Sequence, residues 1–247
     1  MKIQEYGSNS HRKMILIHGF QSPVRVWEKY INSFRNDFHI IVPVLPGHDP
    51  ETREDFISMP ETARELEDYC IKRYGEEIHA VFGMSMGGVL AAHIWQNGRL
   101  KAQKIIFDGS PLAAANGLVK RFMTSFYINV THRSQQRDRK TLEQAVNICP
   151  PEYMEDFLKI LDNMSDATIK NCINDIAGYR LPGNINSGAE IYYFHGTSGN
   201  EMLAKKSAKL ISGNYPDAVI KSFKGLGHCE NSLFHPEVMI NELNKIL

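Results

Sequence analysis

The first group in this sequence that could do chemistry is a serine flanked by glycines. Ser85 lies in AVFGMSMGGVLAAHIW (residues 80–95), with Gly83 and Gly87 two places to either side. The apolar run before it is typical of a strand and the run after it of a helix, and a turn this tight admits only small residues at the flanking positions. The turn strains the central residue and projects its hydroxyl beside a helix N-terminus, where the Met86 backbone N–H could hold an oxyanion. We therefore predict Ser85 as a nucleophile; the alternative is a Gly-Ser turn that serves packing alone.

A serine nucleophile needs a base, and His228 is the histidine best placed to be one. Serine reacts only when a histidine lies within hydrogen-bonding distance. His228 follows the last predicted strand in the glycine-rich loop FKGLGHCENS. Open α/β sheets bind ligands at the carboxyl ends of their strands, where this loop must lie. Most of the other nine histidines fall inside regular elements or polar segments.

The elements that must position these groups alternate between strand-like and helix-like runs. Such alternation predicts a mostly parallel central sheet with helices on both faces, built as one domain over residues 1–247. The final helix is expected over residues 236–247. The predicted strands are residues 14–17, 39–45, 78–82, 104–107, 190–194 and 218–223.

Residues 109–185 show helical spacing without a convincing strand. A segment of this length between two strands suggests an inserted helical cap that covers a pocket. The alternative is that its apolar stripes simply pack on the edge of the sheet. The bulky stripe residues that we predict in an apolar substrate pocket are Phe122, Phe126, Met154, Phe157 and Leu161.

Composition limits the classes of partner. The 28 basic and 28 acidic residues give zero formal charge, so no overall field favours nucleic acid or a membrane surface. A basic run at Arg133, Arg137, Arg139 and Lys140 is interpreted as a solvated helix face rather than a site for an acidic substrate tail or a phosphopantetheine carrier. The four cysteines form no C-x-x-C pair and are expected to be reduced thiols. We expect a cytoplasmic protein with a small-molecule substrate, no metal and no cofactor; the oligomeric state is left open.

Four segments together resemble the α/β-hydrolase superfamily, in its compact form with a helical cap. They are MILIHGF, PVLPGHD, GMSMGG and GLGHCE, which correspond to the first predicted strand with its oxyanion loop, the next turn, the nucleophile turn and the histidine loop. The resemblance implies that Phe20 donates its backbone N–H to the oxyanion hole alongside Met86. It also implies that His18 shapes that loop, while His48 and His195 either line the pocket or are ordinary buried histidines.

The nucleophile type narrows the chemistry that the resemblance implies. Haloalkane dehalogenases and epoxide hydrolases of the superfamily use an aspartate at the position of Ser85. Serine implies acyl transfer, with a small, largely apolar carboxylic ester or thioester as the expected substrate. An acyltransferase, a C–C bond hydrolase and a ligand-binding receptor with little turnover could carry the same groups.

The acid that would complete a triad is open between two residues. Members of the superfamily typically carry an aspartate shortly after the strand at residues 190–194. In FHGTSGNEML, Gly199 stands where that aspartate would fall and Glu201 follows two places later. Glu201 is favoured because a carboxylate that opens a helix is stabilised by the helix dipole. The competitor is Asp108 in IIFDGSPL, whose other interpretation is a turn-forming Asp-Gly pair.

Overall fold

The structure is a computed structural model that describes residues 1–186 and 188–247. Its centre is a seven-stranded sheet in the order β1-β3-β2-β4-β5-β6-β7, in which β1 is antiparallel to β3 and every other pair is parallel. The strands are β1 (Lys2–Tyr6), β2 (Arg12–Ile17), β3 (Phe38–Val44), β4 (Glu77–Met84), β5 (Lys101–Asp108), β6 (Glu190–Gly196) and β7 (Val219–Phe223).

Helices cover both faces of this sheet, as the alternating pattern predicted. They are α1 (Glu28–Phe34), α2 (Met59–Tyr74), α3 (Met86–Asn97), α4 (Gly117–Gln135), α5 (Arg139–Ala145), α6 (Met154–Asn163), α7 (Asp166–Gly178), α8 (Met202–Asn214), α9 (Glu230–Phe234) and α10 (Pro236–Leu243). No helix within residues 1–186 and 188–247 is long and apolar enough to span a membrane.

Alternating strand residues divide the core into two layers. Ile15 and Ile17 of β2 pack with α2, α3, α7 and α8 on one face, while Met14 and Leu16 pack with α1, α6 and α10 on the other. Successive side chains of a strand point to opposite faces, so a strand buried on both sides reads as a continuous apolar run. This is why the central strands could be recognised from the sequence.

Relative to the expectation, the structure has an additional strand at the start of the chain and a shorter final helix. The sequence pattern indicated no strand before residue 14, yet β1 pairs with β3 from Lys2↔Val44 to Tyr6↔Ile40. β1 lies at the sheet edge and is only partly buried, so its sequence KIQEY carries little apolar signal. The last helix ends at Leu243 rather than at residue 247.

The parallel register brings three strand ends to one edge of the sheet. Met84 of β4 lies beside Asp108 of β5, and Asp108 lies beside Phe194 of β6. The residues that follow these three strands therefore emerge together. Helices α4 to α7 occupy the connection from β5 to β6.

Candidate active site

Ser85 occupies a strained turn between β4 and α3. Its φ and ψ are 51° and −114°, a conformation that residues with a Cβ rarely adopt. The flanking glycines are needed because backbone fills the adjacent space. A Cβ on Gly83 would lie 2.4 Å from the Gly87 carbonyl oxygen, and a Cβ on Gly87 would lie 2.2 Å from the Ile17 carbonyl oxygen. The Ser85 N–H donates to the Asp108 carbonyl oxygen at 2.7 Å, which anchors the turn to β5.

The His228 ring lies beside the Ser85 hydroxyl. His228 Nε2 is 2.8 Å from Ser85 Oγ, although the two residues are 143 positions apart. Gly109, which follows β5, leaves room for the ring, because a Cβ there would lie 3.1 Å from His228 Cε1. The side chain of His228 is 37% exposed, so one of its edges remains open to solvent.

Glu201 contacts the other nitrogen of the same ring. Glu201 Oε1 lies 2.7 Å from His228 Nδ1, and the Glu201 side chain is fully buried. A carboxylate can only accept here, so Nδ1 carries the proton and Nε2 is free to accept from the Ser85 hydroxyl. Glu201 ends the 3₁₀ turn Gly199–Glu201 and directly precedes α8, but its side chain makes no capping hydrogen bond to that helix.

Backbone contacts fasten the two loops that carry Glu201 and His228. The N–H groups of Thr197 and Ser198 both donate to the Leu226 carbonyl oxygen at 2.9 Å. The Gly225 N–H donates to Thr197 Oγ1 at 2.8 Å. The position of the carboxylate relative to the ring is therefore set by hydrogen bonds between the two loops and not by side-chain rotamers alone.

Asp108 is also buried near these groups, but its carboxylate faces a different partner. Ser232 Oγ donates to Asp108 Oδ2 at 2.5 Å, and within the described residues the side chain of Asp108 has no hydrogen bond to His228. Burial raises the pKa of the Asp108 carboxyl from 3.8 to about 6, while the Ser232 hydrogen bond and the nearby His228 oppose the rise. Of the two acids that the sequence left open, Glu201 is the one in contact with His228.

The loop after β2 (residues 18–23, the β2 loop) passes directly beside the serine. A Cβ on Gly19 would lie 3.4 Å from Ser85 Cβ, so the peptide that joins Gly19 to Phe20 starts beside the serine. Met86 is the first residue of α3, and the first N–H groups of a helix have no acceptor inside the helix. The backbone N–H groups of Phe20 and Met86 thus belong to the two segments that flank the Ser85 hydroxyl.

His18 supports the β2 loop from within the core. The Leu45 N–H donates to His18 Nε2 at 3.1 Å, so Nδ1 carries the proton and donates to the Gly19 carbonyl oxygen at 2.9 Å. Burial lowers the pKa of His18 to about 4 and, with the nearby His18, that of His48 to about 3, so both rings are neutral near pH 7. Neither His48 nor His195 lines the cavity in front of Ser85.

A cavity of about 460 Å³ opens in front of Ser85. Its walls are mainly apolar side chains from the β2 loop, from α4, α6 and α7, and from the segment around α9. No lysine or arginine occurs among the described lining residues. The lining residues include Phe20, Gln21, Ser85, Met123, Tyr127, Phe157, Ile173, Ile176, His228 and Leu233.

Only one of the five predicted pocket residues lines this cavity. Phe157 lines it. Leu161 is buried instead in the core layer that contains Met14 and Leu16, and Met154 packs against that layer. Phe122 and Phe126 stack on each other at the surface, where they are 71% and 49% exposed. The spacing identified the helix correctly but selected the wrong face of α4. The residues that lie one position further along, Met123 and Tyr127, face the cavity instead.

The arginines of the basic run have acidic partners within the chain. Arg133 pairs with Asp138 and Arg137 binds both carboxylate oxygens of Asp162 at 2.7 Å. Arg139 pairs with Glu143 four positions along α5. These are surface contacts, as expected for a solvated helix face.

Sequence comparison agrees with the fold and with the four segments noted above. A family model for the Alpha/beta hydrolase family matches residues 14–240, which is nearly the whole chain. The chain belongs to the alpha/beta hydrolase family. The match includes the β2 loop, the Ser85 turn and the His228 loop.

This hydrolase is similar in sequence to proteins of two different activities and in structure to a solved member of the family. It is 25% identical to a pimeloyl-[acyl-carrier protein] methyl ester esterase of Vibrio campbellii over 66% of the chain and 71% of that protein. It is 28% identical to a soluble epoxide hydrolase of Corynebacterium sp. over 80% of the chain and 70% of that protein. An alpha/beta hydrolase family protein from Desulfitobacterium hafniense superposes with a TM-score of 0.77 at 19% identity, covering 99% of each chain.

Sequence reasoning missed several residues around the serine. Tyr127 was not predicted because it lies one position beyond the stripe formed by Phe122 and Phe126, and therefore on a different face of α4. Gly109 was noted only as part of a turn, and Ser232 carried no signal, because their roles depend on contacts between segments about 120 positions apart.

Within the described chain no three or more His, Cys, Asp or Glu side chains are grouped to hold a metal ion.

Proposed function

We propose that this protein is a serine hydrolase that cleaves small, largely apolar carboxylic esters or thioesters through an acyl-enzyme. The observation that carries the proposal is the continuous chain from Ser85 Oγ to His228 Nε2 at 2.8 Å and from His228 Nδ1 to Glu201 at 2.7 Å. Nucleophile, base and orienting carboxylate in hydrogen-bonding contact are the arrangement that acyl transfer requires.

The first half-reaction would form the acyl-enzyme. Ser85 Oγ attacks the substrate carbonyl carbon while its proton passes to His228 Nε2, and Glu201 stabilises the resulting imidazolium. The carbonyl oxygen becomes an oxyanion, which the Phe20 and Met86 N–H groups would bind. Collapse of this intermediate breaks the bond to the alcohol or thiol, which leaves with the proton from His228.

The second half-reaction would release the acid. A water molecule gives its proton to His228 Nε2 and attacks the acyl carbon, forming a second oxyanion in the same place. When this intermediate collapses, Ser85 Oγ leaves and recovers its proton from His228. The exposed edge of the His228 ring allows water to reach this position.

The cavity supports an apolar acyl or alkyl group on the substrate. Its described walls carry no cationic side chain to pair with an anionic substrate, and apolar contacts are worth about 0.8 kcal/mol per buried methylene. The relative from Vibrio campbellii is an esterase, which is in accord with this reaction class. The epoxide hydrolase relative does not suggest epoxide hydrolysis here, because superfamily members with that activity use an aspartate where this chain has Ser85.

A panel of p-nitrophenyl esters and acyl thioesters of graded chain length tests the proposal. We expect turnover of several members, with kcat/KM rising and then falling with chain length as the 460 Å³ cavity is filled. Binding of such compounds without turnover would favour a ligand receptor. Turnover only in the presence of an added acceptor alcohol would favour an acyltransferase.

A further inference from the structure

Gln21, the residue after Phe20, combines three unusual features. Its φ is 57°, in the left-handed region that residues with a Cβ rarely adopt, and its side chain is buried at 6% exposure. It also lines the cavity in front of Ser85. Of the four described non-glycine residues with positive φ, Ser85 and Cys229 also lie at the site, the latter next to His228. Such strain persists only where surrounding contacts hold it.

The contacts that hold Gln21 come from the helices between β5 and β6. Gln21 Nε2 donates to Thr131 Oγ1 at 2.9 Å and contacts Met164 Sδ at 3.6 Å. Thr131, on α4, is fully buried, and Met164 follows α6 and is buried in the core. A polar side chain in such surroundings is costly unless it is hydrogen-bonded, so the amide of Gln21 is held at α4.

Phe20 docks on the same helix, one turn away. The Phe20 ring meets the Tyr127 ring edge-on, with centroids 5.2 Å apart. Successive residues of the β2 loop, Phe20 and Gln21, therefore contact α4 residues four apart, Tyr127 and Thr131. Residues four apart lie on one face of a helix, so a single face of α4 receives the loop.

We propose that Gln21 is a positioning residue that fixes the Phe20 N–H for oxyanion binding by fastening the β2 loop to α4. The inference rests on the proposed function, since an oxyanion forms only if Ser85 attacks a carbonyl. The Phe20 N–H belongs to the Gly19–Phe20 peptide, which directly precedes the peptide that joins Phe20 to Gln21. The left-handed turn at Gln21 sets the direction in which the chain leaves Phe20, so it restrains the segment that carries this N–H. Loss of the Gln21 amide frees this turn and lowers transition-state binding more than ground-state binding.

Gln135 supplies a matched control on the same helix. Gln135 lies one turn beyond Thr131, and its Nε2 donates to the carbonyl oxygens of Leu161 and Met164 at 2.8 and 3.3 Å. It thus ties α4 to the same Met164 segment without touching the β2 loop. Methionine in place of either glutamine keeps the side-chain length and removes the amide.

The experiment compares Gln21→Met, Thr131→Val and Gln135→Met on one p-nitrophenyl ester, with affinity for a trifluoromethyl ketone as a second measurement. Such a ketone forms a tetrahedral oxyanion adduct with a serine nucleophile. Removing a direct oxyanion donor costs about 10² to 10³ in kcat, so the loss of an indirect support is expected to cost about tenfold. We expect Gln21→Met and Thr131→Val each to lower kcat and ketone affinity about tenfold with KM within twofold. The double variant Gln21→Met/Thr131→Val should lose little more kcat than either single variant, because both substitutions remove the same hydrogen bond.

Gln135→Met should lower the melting temperature but leave kcat and ketone affinity near the wild-type values. Gln21→Gly separates strain from anchoring, because glycine tolerates the positive φ and still lacks the amide. It should therefore fold well and remain slow. Hydrogen exchange of a peptide that covers the β2 loop should be faster in Gln21→Met than in Gln135→Met.

The inference is overturned if Gln21→Met retains native kcat and ketone affinity in a protein whose wild type hydrolyses esters. It is equally overturned if Gln135→Met loses the same kcat as Gln21→Met, since the effect then reflects general loosening of α4. A wild-type protein with no ester turnover refutes the proposed function itself, which is a different result from either of these.

Discussion

Glu201 Oε1 lies 2.7 Å from His228 Nδ1, although Glu201 stands two positions beyond the place where an aspartate was expected. The 3₁₀ turn Gly199–Glu201 takes up the extra residues, and the additional methylene of glutamate extends the carboxylate to the ring. The turn is held close to the histidine loop by the Leu226 carbonyl oxygen. The geometry thus favours Glu201 as the acid and gives Asp108 a separate partner, Ser232.

Exchanging each acid for its amide distinguishes the two candidates. Glu201→Gln should lower kcat by about 10³-fold or more, because the amide no longer holds the His228 tautomer and cannot stabilise an imidazolium. Asp108→Asn should stay within several-fold of the wild type. Both variants are compared by kcat, with far-UV circular dichroism as the folding control. A folded Asp108→Asn protein that is inactive beside an active Glu201→Gln protein would assign the acid to Asp108.

The buried carboxyl of Asp108 should make stability depend on pH. Its folded pKa is raised to about 6 by burial, so the folded protein holds this proton more tightly than the unfolded chain does. Stability from this group is therefore present below pH 3.8 and is lost as pH rises through about 6. The loss is bounded by two pKa units, about 3 kcal/mol.

Asp108→Asn removes this loss while keeping an acceptor for Ser232. The unfolding free energy of the variant minus that of the wild type should increase between pH 4 and pH 7 and be flat above. His18 and His48 titrate in the same way in both proteins and cancel in the difference. Urea denaturation at a series of pH values measures this difference in unfolding free energy. A difference that does not change with pH would contradict a raised pKa for Asp108 in the folded protein.

Substitutions of His228 should separate its chemical role from its electrostatic one. Both His228→Ala and His228→Gln should lose several orders of magnitude in kcat, because neither retains a base. His228→Ala also leaves the buried Glu201 carboxylate without its donor, which costs about 2 kcal/mol of stability. The glutamine amide can still donate to Glu201 and should limit this loss.

Adding Glu201→Gln to His228→Ala should restore stability without restoring activity. Chemical denaturation of the single and double variants tests this coupling. Equal stability of His228→Ala and the wild type would show that Glu201 is solvated in solution, contrary to its burial here.

The two phenylalanines Phe157 and Phe122 should differ in their effect on substrate choice. Phe157 lines the cavity, whereas Phe122 is exposed on α4. Phe157→Leu widens the wall and should shift the preferred acyl chain of the ester panel to greater length. Each extra methylene that finds room adds about 0.8 kcal/mol, or about fourfold in kcat/KM. Phe122→Leu is the control and should leave the preference unchanged; an equal shift in both would argue against this wall.

The sequence was sufficient for the features that depend on local pattern. The Ser85 turn, the central strands and the loop that bears His228 each follow from residues close together in the chain. The features that the sequence could not predict depend on contacts between distant segments. The face of α4 that meets the cavity is decided by where α6 and α7 pack, and the spacing of Phe122 and Phe126 alone could not reveal it. The choice between Glu201 and Asp108 likewise depended on loop contacts that no local motif encodes.

Covalent labelling is the sharpest test of Ser85 as the nucleophile. The purified protein is treated with a fluorophosphonate probe, and the modified residue is identified by peptide mapping, with heat-denatured protein as the control for nonspecific reaction. We expect one probe per chain on Ser85 in the native protein, with both labelling and ester turnover abolished in a folded Ser85→Ala variant. Labelling or ester turnover that persists in Ser85→Ala would contradict it.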